Sequence, residues 1–325
     1  MKKNLAIAIF VISILLFGWG AAQAQWAPSE DVVLFIHGSP GSGTDMVARA
    51  IIRTVNDNKL LPVTLQGENM AGGQGGKARA ALVRKKGNPH YLMTYAPSHM
   101  TVMLRTGGQT KHEDFTPVVN FAVDVNVFAV RADSPYKSFK DVIEIAKTKP
   151  GTFTVATSLP GAIDSLTCYL IEDAIGGGAQ IKQVPMQASA KAVIALLGGH
   201  VDATLCNPGE IIPQVEAGKA RILAIMAEER HSDFPGVPSS QEFGIDVAIY
   251  SFRGFVMGPD VPDEAVAYME GVFRKAYETE TFQKFIKDQG LTPYLMDRTK
   301  FKAYLDKTNK NFAKILNEKG FIEKK

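Results

Sequence analysis

The sequence predicts an α/β protein of two lobes, and three observations carry that prediction. From residue 32 onward, short apolar runs alternate with stretches of helical periodicity, the pattern of strands each followed by a covering helix. Two long extended stretches, Phe121 to Val130 and Tyr250 to Met257, bracket a middle region with the same rhythm. No repeat of fixed period and no low-complexity segment interrupts it. A middle lobe inserted between the halves of an outer one fits this layout, with the two extended stretches as crossing strands. The boundaries fall at 25–124 plus 252–325 for the outer lobe and 125–251 for the inserted one. Strand–helix alternation of this kind makes the sheets mostly parallel.

The N-terminus reads as a leader. Lys2 and Lys3 precede an uncharged apolar run from Leu5 to Phe17, and small residues follow to Ala22-Gln23-Ala24. This is the layout of a secretory signal peptide, residues 1–24, cleaved after Ala24. The run is shorter than the roughly 20 residues a transmembrane helix needs. Residue 25 is Gln rather than the Cys of a lipid-anchored protein, and no later segment is apolar for long enough to span a bilayer. Loss of Lys2 and Lys3 lowers the formal charge from +3 to near neutrality. That leaves no global field for nucleic acid or acidic membranes, and the basic end at Lys324 and Lys325 reads as a solvated tail. Cys168 and Cys206 either form one disulfide in an oxidising compartment or stand as two buried thiols. No C-x-x-C pair and no His/Cys cluster marks a metal site.

Taken in order, Val32 to Ile36 is a continuous apolar run, as in a parallel strand covered on both faces. Gly38 to Thr44 is a loop of small residues. After it, Met46, Val47, Ala50, Ile51 and Val55 fall on one helix face while Arg49, Arg53 and Asn56 fall elsewhere. Asp45 stands where it can cap that helix or join its first turn. A strand near Pro62 to Gln66, a glycine turn at Gly72-Gly73-Gln74-Gly75-Gly76, a helix to about Arg84 and a strand at Tyr91 to Tyr95 follow. In the middle region Ser138 caps a helix that runs to Lys147 and stops at Pro150-Gly151. A strand at Phe153 to Thr157 leads through Pro160-Gly161 into a helix over Asp164 to Ala174. Ile181 to Val184 is a strand, Ser189 to Leu197 a helix closed by Gly198-Gly199, and Val201 to Leu205 a strand. A short helix then ends at Gly218, before the strand Ile222 to Met226. Beyond Met257 the expectation is helix throughout, in segments Asp263–Tyr277, Glu280–Asp288 and Thr299–Asn317.

Two loops carry candidate chemistry. The first, with Ser39, Gly41, Ser42, Gly43, Thr44 and Asp45, aims backbone N–H groups in front of a helix N-terminus, where the macrodipole favours an anion. It lacks the Lys of a phosphate-binding Walker loop, and Met46 stands where a dinucleotide fingerprint needs its third glycine. Phe35-Ile36-His37-Gly38 looks like the oxyanion segment of an α/β-hydrolase. No Gly-x-Ser-x-Gly elbow occurs, however, and the last histidine, His231, comes well before the C-terminus, so that enzyme class is a weak rival. Thr157, Ser158, Gly161, Ala162 and Asp164 repeat the first loop's design in the middle region. One such loop alone is an ordinary strand-to-helix turn. Two, one per lobe, can clamp a carboxylate between helix N-termini without burying a full protein charge.

Single residues add to the clamp. Ser98 and His99 follow the strand Tyr91 to Tyr95, and Asn207 follows Val201 to Leu205, where ligands of α/β folds gather; His99 and Asn207 can equally be structural residues. Arg253 lies within the second crossing strand and can either fork a carboxylate or make a structural ion pair. His37, His90, His112, His200 and His231 form no constellation and read as surface or packing residues.

These residues resemble the extracytoplasmic solute receptors of tripartite tricarboxylate transporters, the Bug-type receptors. Gly41-Ser42-Gly43-Thr44-Asp45 with Arg49 is similar to the family's Gly-Gly-Gly-Thr-Asp loop and the Arg that follows it. Gly67-Glu68-Asn69-Met70-Ala71-Gly72-Gly73-Gln74-Gly75 resembles its Val-Glu-Asn…Gly-Ala-Gly-Gly segment, and Asp114-Phe115-Thr116-Pro117-Val118 its Asp-Phe-Thr-Pro-Val. Lys149-Pro150-Gly151, Val184-Pro185, Gly198-Gly199-His200-Val201-Asp202, Glu216-Ala217-Gly218-Lys219 and Pro235-Gly236-Val237-Pro238 fall where the family has equivalents.

The resemblance implies a type II periplasmic binding protein fold, two α/β lobes joined by two crossing strands and closing on a ligand. It implies a monomeric periplasmic receptor, not an enzyme, with no cofactor. Such a receptor holds a small organic carboxylate through backbone amides and hands it to a permease of one large and one small membrane subunit. Two departures stand out: Gly38-Ser39 replaces a more usual Phe-Pro, and Asp164-Ser165 replaces a frequent Ser-His. If Asp164 faces the pocket it repels a second carboxylate; if it caps the helix it does not. A periplasmic ligand sensor that docks on a signalling receptor is the alternative the sequence leaves open.

Overall fold

The computed structural model describes residues 26–322 except 109, 159, 187, 188, 232, 233 and 248. The expected leader, Leu159 of the second loop, and Lys324 and Lys325 lie outside the described residues. Two strands show how the sequence builds layers. In β1 (Val32–Ile36), Val32, Leu34 and Ile36 join one buried cluster with Ile51, Val55 and Phe121. Phe35 joins another, with Met93, Tyr95 and Phe252. A pleated strand sends alternate side chains to opposite faces, so a run that is apolar at every position serves a strand covered on both sides. Of the strands that follow, β2 (Leu65–Asn69), β3 (Tyr91–Tyr95) and β4 (Thr116–Asp124) stay in the same sheet. β5 (Asn126–Arg131) opens a second sheet and repeats the arrangement of β1: Phe128 and Val130 enter one core, Val127 and Ala129 another. Two sheets, each with a core on both faces, make two α/β lobes.

The second sheet continues with β6 (Thr154–Thr157), β7 (Lys182–Pro185), β8 (Ala203–Cys206) and β9 (Ala220–Met226). The chain then returns to the first lobe for β10 (Ser251–Met257) and β11 (Thr292–Met296). The first sheet has the order β11-β4-β10-β3-β1-β2 and the second β7-β6-β8-β5-β9. β1 runs parallel to β2 and β3, and β6 parallel to β7 and β8; the other pairings are antiparallel. The sheets are therefore mixed rather than mostly parallel, because strands arriving from the other lobe enter each sheet from its opposite end. The order β2-β1-β3-β10-β4 matches β7-β6-β8-β5-β9 in position and direction, so the lobes share one topology. The long extended stretch around residue 125 is two strands: Val125 alone separates β4 from β5, and the change of sheet occurs there. The return runs through 227–250.

Helices cover both sheets: α1 (Gly43–Asp57), α2 (Gly76–Val83), α3 (Pro97–Thr106), α4 (Phe139–Thr148), α5 (Ile163–Ile175), α6 (Ser189–Leu197), α7 (Pro208–Glu216), α8 (Asp263–Tyr277), α9 (Glu280–Asp288) and α10 (Arg298–Glu318). Two elements differ from the sequence reading. The stretch after Tyr95 is a full helix, α3, started by Pro97 in its first turn and ended by Gly107 at φ +56°. β11 is a strand the sequence reading did not foresee, between the expected helices Glu280–Asp288 and Thr299–Asn317. It pairs with β4 alone, at the sheet edge, where Pro293 needs no ladder donor. Cys168 and Cys206 are both free and buried, so the disulfide is not formed.

Candidate ligand-binding cleft

Two strand-to-helix turns of one design meet at the cleft. In the first, Gly41 takes φ +79° and Ser42 caps α1 from an extended conformation, its Oγ accepting from the Asp45 N–H at 3.4 Å. The buried Asp45 carboxylate accepts from the Gly41 N–H at 2.8 Å, Asn69 Nδ2 at 2.8 Å and Arg49 Nε at 3.0 Å. Burial alone raises such a group; the bonds from Asn69, Gly41 and Arg49 outweigh it and hold Asp45 below the ordinary carboxylate value.

In the second turn Gly161 takes φ +77°, Ala162 holds the capping position of α5, and the Gly161 N–H donates to Ser165 Oγ at 3.4 Å. Asp164 accepts from the Ser158 N–H, from Ser158 Oγ at 2.8 Å and from the Ser165 N–H at 2.9 Å. Burial pushes this carboxyl up against the pull of those bonds.

A cavity of about 430 Å³ lies between the turns. Ser39, Thr44, Ser98, Gly161, Ala162 and Arg253 of the expected set line it. The glycine turn adds Gly72, Gln74 and Gly75, and the walls add His37, Thr101 and Arg105. No carboxylate side chain stands among the described lining residues. Gly41, Ser42, Asp45, Thr157, Ser158 and Asp164 were expected at the ligand and stand outside this lining. Asp45 and Asp164 are committed to the donors of their own loops, and Thr157 is fully buried. Gly43 and Asn207 face a second cavity, of about 290 Å³, which shares Arg253 with the first. Asn207 there begins α7, its N–H donating to Glu210 Oε2 at 3.1 Å.

Of the two histidines beside the cavity, His99 is buried and His37 lines it. His99, expected at the ligand, is fully buried behind Gly75, where an added Cβ would come within 2.3 Å of its ring. It stacks on Tyr95 with centroids 5.0 Å apart, and Arg79 Nη1 donates to its Nδ1 at 3.0 Å. Burial, with His37 and Arg79 close by, pushes its pKa well down. His37, read as a packing residue, lines the cavity instead. Its Nδ1 lies 3.0 Å from the Thr94 carbonyl, which can only accept, so Nδ1 carries the proton and Nε2 is left as an acceptor. Burial lowers its pKa to about 4, against the pull of the Thr94 carbonyl, so the ring is neutral at neutral pH.

Arg253 makes the structural ion pair and also reaches the cavity. It pairs with Asp124, donates from Nη1 to Ser251 Oγ at 3.2 Å, and faces the cavity. Arg105 was missed. From the last turn of α3 it donates through Nη1 to the Pro160 carbonyl at 3.2 Å, joining the first lobe to the second. No motif marks it; the basic residue in a helix's last turn is its sole local signal.

Two lobes of matched topology, closing helix N-termini on a cavity with cationic walls, define a solute-binding receptor. Residues 92–321 match the model of the tripartite tricarboxylate transporter family receptors, and the chain belongs to that family. Its members are periplasmic binding proteins that bind solutes rather than transform them. The chain is 28% identical over 305 residues to a protein in the gbd 5′ region of Cupriavidus necator, covering 93% of this chain and 90% of that one. It is 26% identical over 323 residues to protein BugT of Bordetella pertussis, covering 98% of both. A TctC solute binding protein from Polaromonas, solved without ligand, superimposes with a TM-score of 0.81 at 26% identity, over 90% of this chain and 99% of that one. MatC from Rhodopseudomonas palustris with bound malate shares the fold at a TM-score of 0.68 and 19% identity, over 89% and 99%. An R. palustris protein with adipate does so at 0.69 and 22%, over 90% and 98%.

Proposed function

We propose that the protein captures a small organic carboxylate in the 430 Å³ cavity and, as a monomer, presents it to the large and small membrane subunits of a tripartite transporter. Export with cleavage after Ala24 would deliver it to the periplasm. One observation carries the reading: the N-terminal ends of α1, α3 and α5 and two guanidiniums converge on a cavity with no carboxylate among its described lining residues. Each helix N-terminus favours an anion by roughly 0.3–2 kcal/mol, and backbone donors do so without a charge of their own to desolvate. Malate and adipate, the acids held by two fold neighbours, are of the same class. The ligand contacts in this reading are Ser39, Thr44, Ser98, Gly161, Ala162 and Arg253. The lobes meet at 124/125 and 251/252, and contacts from both favour the closed form by differential affinity. Titration calorimetry of the mature protein against mono-, di- and hydroxycarboxylates and amino acids tests it. Saturable binding of a carboxylate, absent for the amide of the same shape, is expected; no binding to any small anion overturns it.

A further inference from the structure

The two guanidiniums of the cavity are not equivalent. Arg253 is matched by Asp124. Arg105 has no carboxylate within ion-pair distance among the described residues, and its hydrogen bond is the one to the Pro160 carbonyl; its Nε, like that of Arg253, is buried without a partner. The side chain lies along the second loop: a Cβ built on Gly161 would stand 3.3 Å from Arg105 Cδ and 3.5 Å from its Nε. Other side chains also tie the lobes. His231 Nε2 lies 2.8 Å from Thr292 Oγ1, and Lys319 Nζ lies 3.4 Å from Asp173 Oδ1, but none of these residues lines this cavity.

We propose that Arg105 is the latch of the cleft and the counter-charge of its ligand, so that capture and closure act through one side chain. A guanidinium carries five donors. Here one holds the opposite lobe, and the side chain lines the cavity, where an anion can engage further donors of the same guanidinium. The ligand thereby adds to a contact that already joins the two lobes, and a ligand held from both lobes favours the closed form by differential affinity. The ligand half of this proposal rests on the receptor reading; the latch half does not.

Small-angle X-ray scattering of the mature protein separates the two, with malate and adipate as probes. Without ligand, Arg105→Ala is expected to be more extended than wild type. With ligand, it needs on the order of tenfold more acid, or beyond, to reach half-compaction. Arg105→Lys keeps the charge but lacks the fork, and falls between them. Melting curves near wild type for both variants exclude a folding defect, and the Lys variant is read alone if the Ala variant melts early. Equal dimensions without ligand and equal half-compaction overturn the proposal. If neither acid compacts the wild type, the ligand half of the proposal is overturned, the receptor reading is judged by the calorimetric panel, and the ligand-free comparison still decides the latch.

Discussion

The two strand-to-helix turns follow one backbone path and differ in what fixes it. Pro40-Gly41 and Pro160-Gly161 precede the helices at the same spacing, the glycines sit at φ +79° and +77°, and the capping residues are extended in both. Four residues beyond each glycine stands an acceptor for its N–H, Asp45 Oδ2 in one turn and Ser165 Oγ in the other. Each acceptor is braced by the next strand: Asp45 by Asn69 at the end of β2, Ser165 by Gln183 in β7 at 2.7 Å. Residues of both turns line the cavity, Ser39 and Thr44 from the first and Gly161 and Ala162 from the second. The fixing side chain is free to vary so long as it accepts at that position. The first turn uses an ionised carboxylate with Arg49 beside it. The second uses a hydroxyl, and its carboxylate, Asp164, has no such cation among the described residues.

The sharpest way to break this comparison is to remove the two acceptors. Asp45→Ala strands the Gly41 N–H, removes one of the two acceptors of Asn69 Nδ2 and leaves Arg49 only its bond to Asn69 Oδ1. Loss of about 2–4 kcal/mol is expected, because charge-assisted bonds to a buried group are lost together. Ser165→Ala removes one long neutral bond from Gly161 and one to Gln183, and about 0.5–1.5 kcal/mol is expected. Urea denaturation of the two variants measures the difference. Equal losses would mean that the turns are held alike after all.

Acid should separate the turns by sign. Folded Asp45 holds its proton less tightly than the unfolded chain. Its contribution is therefore present above the ordinary carboxylate value and is lost as pH falls through the lowered folded value. Folded Asp164 holds its proton more tightly. Its contribution is fullest below the ordinary value and declines as pH rises through the raised one. The stability advantage of wild type over Asp45→Asn should shrink on acidification between about pH 7 and pH 3, while its advantage over Asp164→Asn should grow. Urea midpoints across that range decide it, and drift of the same sign in both variants would contradict the contrast.

The parts of this site legible in the sequence are those set by local chemistry. A Pro-Gly pair after an apolar run and before helical periodicity states a positive φ and a helix start without outside help, so both turns could be read. The apolar runs of β1 and β5 announce two covered faces in the same way. Where partners are distant the signal fails. His37 follows β1, but its bond to Thr94 depends on β3 lying beside β1, 57 residues on. His99 is buried because Gly75 has no side chain to exclude its ring. Arg105 lines the cavity only when the second lobe is folded against the first. Pro293 hid β11, since its strand is tolerated only at an edge that the sequence does not name.

The two glycines give the finest distinction. Alanine at either position pays the left-handed cost of an L residue, about 1–2 kcal/mol. At Gly41 the new Cβ meets nothing within 4 Å, so strain is the whole effect. At Gly161 it comes within 3.3 Å of Arg105 Cδ, closer than a relaxed contact, and the Arg105 side chain has to move. Gly41→Ala and Gly161→Ala should therefore lose similar stability, while the affinity for malate or adipate should fall further in Gly161→Ala. In an Arg105→Ala background that extra loss should vanish, because the group displaced by the Cβ is no longer there. A double-mutant cycle on ligand affinity reads the coupling directly. A coupling of zero between Gly161 and Arg105 would show that the second turn does not act on the ligand through Arg105.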